Sequence, residues 1–244
     1  MRSRWQQYCV TSKQDKQLRK YLIFGILFLT SCGGYKIEND KVYYIQYNEA
    51  QGRVKREIGA DKNTFRILDN ENYAIDFTQV FYQGTLIDSA DPKSFVPLSD
   101  YIAKDKNHGY YGGAIIETSD GKSFELIKDN FTRDKNDVYC DRKPLHSKHP
   151  KTFEILEIGH GYWSCDSESY YYQDKRIPIK DYASFKILDE DCFFAKDKFQ
   201  VYKGDKILEG VDAETFEFIE ICIGRDKYGC HNGQERCNCP KEKE

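Results

Sequence analysis

The chain has 244 residues, with 37 Lys and Arg against 40 Asp and Glu, and its aromatic content of 15% rests on nineteen Tyr and fifteen Phe. Aromatics this frequent can bury area, so disorder is disfavoured although 32% of the residues are charged. Residues 1–32 hold six basic residues and one acid, which leaves 31 basic and 39 acidic residues beyond, a net charge of about −8 that repels phosphate and excludes nucleic acid as the main partner.

At the amino end, Lys13, Lys16, Arg19 and Lys20 precede an apolar run from Tyr21 to Leu29, followed by Thr30-Ser31-Cys32-Gly33. Basic segment, apolar segment and small-residue cleavage site in that order predict an export leader over residues 1–31. The apolar run reaches only about half the length of a membrane-spanning helix. Leu29-Thr30-Ser31-Cys32 resembles the lipobox of bacterial lipoproteins, which implies acylation of the Cys32 thiol and cleavage before it. More than one acyl chain on Cys32 would give stable membrane anchoring. Gly33 stands where an Asp would favour inner-membrane retention, so the same resemblance points to the outer membrane. Residues 32–39 are then expected to be a lipidated tether, 40–239 a folded repeat domain, and 240–244 a charged tail.

Beyond the leader a phrase of about thirty residues recurs. Asp105-Lys106-Asn107 leads through Tyr110-Tyr111 to Ser123-Phe124, and Asp134-Lys135-Asn136 leads through Val138-Tyr139 to Thr152-Phe153. Further copies centre on Asp166 with Phe185 and on Asp197 with Phe216. A degenerate copy runs from Tyr73 through Asp76 to Phe95, and an earlier one from Asp40 through Tyr43-Tyr44 to Phe65 with an insertion. The last copy, around Asp226, reads as cut short. The anchoring Phe residues fall at 65, 95, 124, 153, 185 and 216, in steps of 29 to 32.

Each copy holds two short aromatic-rich runs joined by an Asp-led turn, which is a hairpin signal, because Asp and Asn bend the chain by bonding their own backbone. A second tight turn is expected at Gln83-Gly84, Lys203-Gly204 and Asn232-Gly233. The segments before Phe95, Phe153 and Phe216 read as short helical turns, each followed by a strand. A lone hairpin cannot bury its aromatic face in water, so neighbouring copies must share it. The expected fold is all-β, with tandem β-hairpin repeats stacked as an elongated or curved array and a closed propeller-like ring as the rival. The copies resemble the DKNYY family of bacterial repeat domains over roughly residues 40–235, a resemblance that brings no catalytic or binding residues with it.

Asp-x-Asn loops such as Asp105–Asn107 and Asp134–Asp137 also open calcium sites, but they lack a closing acidic ligand and carry a Lys, and the turn reading is favoured. With Cys9 in the leader and Cys32 acylated, seven cysteines remain, at 140, 165, 192, 222, 230, 237 and 239. Export favours pairing some of them, and a disulfide among Cys230, Cys237 and Cys239 would cap the array. A zinc site from Cys230, His231, Cys237 and Cys239 has the right ligand types and the wrong spacing. His146, His149 and His160 read as solvated.

The aromatic clusters Tyr162-Trp163 and Tyr170-Tyr171-Tyr172 suit either core faces, the favoured reading, or a sugar platform. No nucleophile motif or phosphate-binding loop is present. The sequence therefore predicts a non-enzymatic envelope lipoprotein without a cofactor, a repeat scaffold for a protein or glycan partner. A carbohydrate-binding or hydrolytic module and a metal-binding sensor are the alternatives.

Overall fold

Short strands joined by tight turns make up nearly all of the computed structural model, which describes residues 33–156, 163–189, 191–220 and 222–240. The expected leader, Cys32, His160, Tyr162 and residues 241–244 lie outside the described residues. No helix among the described residues is long and apolar enough to cross a membrane.

Seven antiparallel meanders follow one another in chain order. Sheet A has three strands, Gly34–Glu38, Lys41–Asn48 and Gly52–Glu57. The next six sheets have four strands each. Sheet B holds Arg66–Ile67, Tyr73–Ile75, Val80–Tyr82 and Thr85–Leu86, and sheet C holds Val96–Pro97, Ile102–Lys104, Gly109–Tyr111 and Ala114–Ile116. Sheet D holds Glu125–Lys128, Phe131–Arg133, Val138–Cys140 and Lys143–Pro144. Sheet E holds Glu154–Ile155, Trp163–Cys165, Tyr170–Tyr172 and Lys175–Arg176. Sheet F holds Lys186–Ile187, Phe194–Lys196, Val201–Lys203 and Lys206–Ile207, and sheet G holds Glu217–Glu220, Ile223–Asp226, Gly229–Asn232 and Glu235–Cys237. Sheets A and B belong to one compact part of the chain, ending at Ile87, and sheets C to G to a second, beginning at Asp88.

The repeat is thus a four-stranded meander built around the expected hairpin. Its outer strands are mostly two or three residues long, too short for alternation to announce them. The third and fourth strands are joined by two-residue turns whose first residue is left-handed, as at Gln83 (φ 47°), Asp141 (φ 56°) and Gly204 (φ 60°). A left-handed first residue matches the twist of the flanking strands. The segments before the anchoring Phe residues are tight turns, two of them 3₁₀ helices at Pro150–Thr152 and Tyr182–Ser184.

Phe95, Phe124, Phe153, Phe185 and Phe216 are all buried, and Phe65 is partly so. Four of them pack on an aromatic of their own third strand, Phe95 on Tyr110 at 5.7 Å, Phe124 on Tyr139 at 6.2 Å, Phe153 on Tyr171 at 5.8 Å and Phe185 on Tyr202 at 5.9 Å, whereas Phe216 packs on Phe194 of sheet F at 5.7 Å. Phe124, Phe153, Phe185 and Phe216 also reach the preceding sheet. One cluster joins Ile102 and Ile116 of sheet C to Phe124 and Tyr139, and the next joins Phe131, Val138 and Leu145 to Phe153 and Tyr171. Trp163 and Ile177 meet Phe185 and Tyr202, and Phe194, Val201 and Leu208 meet Phe216. Each of these four therefore fills the gap between its own sheet and the one before it, which is how hairpins too small to stand alone share a core.

Two further columns obey the same step and were not read from the sequence. The centre of the second strand is small and buried throughout: Ala74, Ala103, Thr132, Ser164, Ala195 and Gly224. A Cβ at Gly224 would strike the Phe216 ring, so this column leaves room for the anchor. After the fourth strand, or at its end, comes a buried aliphatic: Ile87, Ile116, Leu145, Ile177 and Leu208.

Three expectations are corrected. Residues 34–38, read as tether, form the first strand of sheet A, because Tyr35 is used in packing. Its hydroxyl accepts the Gly84 N–H at 3.0 Å and donates to the Asn72 carbonyl at 3.2 Å, and its ring lies 5.6 Å from Phe65. Sheet A is not a degenerate copy of the repeat either, since Asp40 is an exposed turn residue between two long strands. Sheet G, read as cut short, is a complete four-stranded meander.

Phe124→Ala should cost about 3–5 kcal/mol of unfolding free energy, the range for emptying a buried aromatic site. Phe77→Ala, at a position 68% exposed, should stay within about 0.5 kcal/mol. Urea denaturation of both variants checks this, and equal effects would contradict the shared-core account.

Candidate functional site

The Asp-led turns are the most repeated polar feature and the first candidates for a site. Asp76, Asp105, Asp134, Asp166, Asp197 and Asp226 occupy the same place, at the bend between second and third strands, and all six are buried. In Asp105, Oδ1 accepts the N–H groups of Asn107 (2.7 Å) and His108 (2.8 Å), while Oδ2 accepts the Asp91 N–H (2.8 Å) and the Tyr110 hydroxyl (2.8 Å). Asp134 does the same with Asn136, Asp137, Asp120 and Tyr139. Asp197 does so with Phe199, Gln200, Lys180 and Tyr202. One oxygen fixes the turn, and the other clasps the turn that precedes the anchoring Phe.

The clasp is reciprocal. The Ser or Thr before each Phe accepts the N–H of the residue after the Asp: Thr64 from Phe77, Ser94 from Lys106, Ser123 from Lys135, Thr152 from Ser167, Ser184 from Lys198 and Thr215 from Lys227, at 2.8 to 3.1 Å. The sequence marks this Ser/Thr-Phe pair only by its recurrence; its distance to the residue after the Asp varies from twelve to fifteen residues. The Lys of the Asp-Lys phrase also has a use, since Lys106, Lys135 and Lys227 reach back to Asp91, Asp120 and Asp212 at 3.3, 2.8 and 2.8 Å. With the Lys227 ammonium as its strongest influence, Asp212 sits at about 2.

These contacts settle what the Asp-x-Asn loops do. A carboxylate offers about four lone-pair sites. Asp105 and Asp134 spend theirs on N–H and O–H donors, which point protons, not oxygens, at the place an ion would occupy. Sheets B, E and G vary the theme. Phe81 stands in place of the Tyr, so Asp76 keeps only backbone donors and Thr78; Ser147 Oγ replaces a backbone donor on Asp166 at 2.7 Å; and His231 Nε2 lies 3.2 Å from Asp226 Oδ1. Burial opposes ionisation of Asp166, Asp197 and Asp226, but the hydrogen bonds they accept outweigh it and hold each carboxyl below its usual range. Burial first, and the neighbouring carboxylate second, raise Tyr110 and Tyr202 well above the usual phenol value and push Tyr171 up to about 12.

Among the described residues the cysteines divide into two disulfides, Cys192–Cys222 and Cys230–Cys239, and three thiols at Cys140, Cys165 and Cys237. The alternative zinc set is not assembled: Cys230 and Cys239 are bonded to each other, and His231 turns to Asp226. Among the described residues no group of three or more His, Cys, Asp or Glu side chains is arranged to hold a metal. Burial pushes the Cys140 and Cys165 thiols up to about 11 and 12, with Asp141 and Glu154 respectively adding to it, so neither is a nucleophile at neutral pH. Of the loop histidines, His149 lies 3.1 Å from Glu168 and His146 3.7 Å from Asp137.

The sugar-platform reading meets a physical obstacle. Trp163 is 0% exposed and Tyr171 1% exposed, and both belong to shared cores. The surface feature nearest to these clusters is a cavity of about 480 Å³ lined by Glu168, Arg176, Ile177, Lys180 and Tyr182 among others. Tyr182 is held there by its hydroxyl, which donates to the Asp166 carbonyl at 2.7 Å, and by stacking 4.9 Å from Tyr170. Two exposed cations, a carboxylate, an aromatic and an aliphatic residue line it.

Asp134→Asn should cost about 3 kcal/mol, since several bonds to a charged acceptor are lost together, whereas Tyr139→Phe should cost about 1 kcal/mol. Sheet B already holds its clasp with Phe81 in that place. Chemical denaturation separates the two, and equal losses would refute the carboxylate-centred reading. The depressed carboxyls contribute stability that is present above about pH 3.9 and lost as pH falls further. The raised phenols contribute stability that is complete below about pH 10 and lost as pH climbs toward 12. Stability measured against pH should be flat between these limits, with tyrosinate absorbance rising together with alkaline unfolding.

No curated protein and no solved structure matches the chain. The sequence profile of the DKNYY family matches it twice, over residues 6–114 and 102–235, together nearly its whole length. Both matches span the Asp clasps and anchoring Phe residues described above, and the chain belongs to the DKNYY family.

Proposed function

We propose that this chain is an envelope lipoprotein, held by acyl chains on Cys32 in the outer membrane, whose repeats serve as a non-catalytic scaffold for a protein or glycan partner. The observation that carries the scaffold reading is the saturation of the clasps: the buried carboxylates, which elsewhere would be candidates for acid–base chemistry, recur in six repeats and are spent on joining turns. A catalytic pair would be expected once. Disulfides at two places suit an oxidising compartment. The first strand starts at Gly34, close beyond the lipobox. The cavity beside Tyr182, with Arg176 and Lys180 opposite Glu168, is the surface assigned to the partner, and its charges favour an acidic or hydroxyl-rich ligand.

Metabolic labelling with a clickable fatty acid should mark the wild-type chain and fail on Cys32→Ala. Capture from intact envelopes with the anchored protein should recover a partner that Arg176→Glu/Lys180→Glu binds several-fold less. An unlabelled wild-type chain sinks the anchor. Equal recovery by the double variant sinks the assignment of the cavity.

A further inference from the structure

The C-terminal cysteines hold an arrangement that the cap alone does not use. In sheet G the third and fourth strands pair with Cys230 directly opposite Cys237, yet the disulfide runs from Cys230 to Cys239, two residues further on. Residues directly opposite in an antiparallel pair have Cβ atoms about 4.5–5.5 Å apart, close to disulfide spacing, so Cys230 has two sulfur partners within reach and is bonded to one. Accessibility separates this cluster from the other thiols. Cys140 and Cys165 are buried and held neutral, while Cys237 is partly exposed and Cys239 exposed. The second disulfide, Cys192–Cys222, has no cysteine in register with either of its ends.

We infer that Cys230, Cys237 and Cys239 form a thiol–disulfide exchange site that takes an external disulfide, small-molecule or protein-borne. The Cys237 thiolate attacks Cys230 Sγ; the Cys230–Cys239 bond breaks, a Cys230–Cys237 bond forms, and Cys239 leaves as a thiolate that takes up the proton Cys237 gave. No electrons enter or leave. The freed Cys239, exposed near the chain end, then attacks a partner disulfide, forming a mixed disulfide and releasing the partner's other sulfur as a thiolate. Cys230 is only 2% exposed, so its sulfur is reached from within, by Cys237 across the strand pair, while the external disulfide is met by the exposed Cys239. Cys230 stands where sheets D and F carry Val138 and Val201, and it stays bonded in both isomers. The exchange therefore does not open the cap.

The test uses the full chain purified without reductant, trapped by alkylation at acidic pH and mapped by mass spectrometry of non-reduced peptides. The expected result is both linkages, Cys230–Cys239 and Cys230–Cys237, with alkylation shared between Cys237 and Cys239. Incubation with oxidised glutathione should then add a single glutathione per chain, distributed over the same two residues. Cys237→Ser should fix the Cys230–Cys239 bond and remove both the alkylation and the adduct. Cys239→Ser should form Cys230–Cys237 quantitatively and keep urea stability unchanged. Labelling and adduct confined to Cys237, with Cys230–Cys239 as the sole linkage, would reduce the cluster to a cap beside an ordinary thiol and overturn the proposal. So would Cys239→Ser leaving Cys230 and Cys237 both open to alkylation.

Discussion

A carboxylate buried between two turns is the constraint from which the rest of this fold follows. Taking a charge out of water is unfavourable unless donors replace the lost hydration. Here the replacement donors are backbone N–H groups of two chain segments, usually joined by a phenol. Because the carboxylate must be satisfied, the turn after the second strand and the turn before the anchoring Phe are brought together. The Phe is thereby set on its aromatic partner, and the ring is aimed into the gap beside the preceding sheet. Polar satisfaction and apolar burial are thus fixed by the same residue in each repeat.

This coupling explains why repeats with so little regular structure hold a shape. Outer strands of two residues contribute few ladder bonds, and many of the lysine ion pairs are exposed and worth little each. Order comes from clasp and anchor, and the energetic reward comes from cores shared between successive sheets. In sheet G a cysteine takes the place of the core valine, and a covalent bond ties it to Cys239.

The legible part of the sequence was the part that repeats visibly. The Phe ladder, the Asp turns and the tight turns marked by Gly84 and Gly204 could be read because residue types with strong local preferences recur at a regular step. The outer strands could not, since Lys143-Pro144 or Lys175-Arg176 has no alternation to detect. The small-residue column of Ala74, Thr132 and Gly224 was equally hidden: it shares a size, not a chemistry, and its meaning appears only when the anchor ring is placed over it. The reciprocal bond from the Ser or Thr before each Phe joins residues twelve to fifteen apart and leaves no trace in a local window. Trp163 was read correctly as core, although a large aromatic beside tyrosines looks the same in sequence whether it faces solvent or core.

The spacing within the repeat divides into two rigid intervals and one elastic one. From clasp Asp to the buried aliphatic is always eleven residues, as from Asp105 to Ile116 or Asp197 to Leu208, and from that aliphatic to the next Phe is always eight. From Phe to its own Asp varies from ten residues, as in Phe124 to Asp134, to thirteen, as in Phe153 to Asp166. All the slack falls in the connection between first and second strands, which neither the carboxylate nor the ring restrains. Natural drift can therefore lengthen, recolour or cross-link that connection without disturbing the frame, as the bridge from Cys192 to Cys222 does between two such connections. An architecture with one unpoliced loop per repeat keeps its grammar while changing its vocabulary, and diversification within such a lineage would gather along that single line of loops.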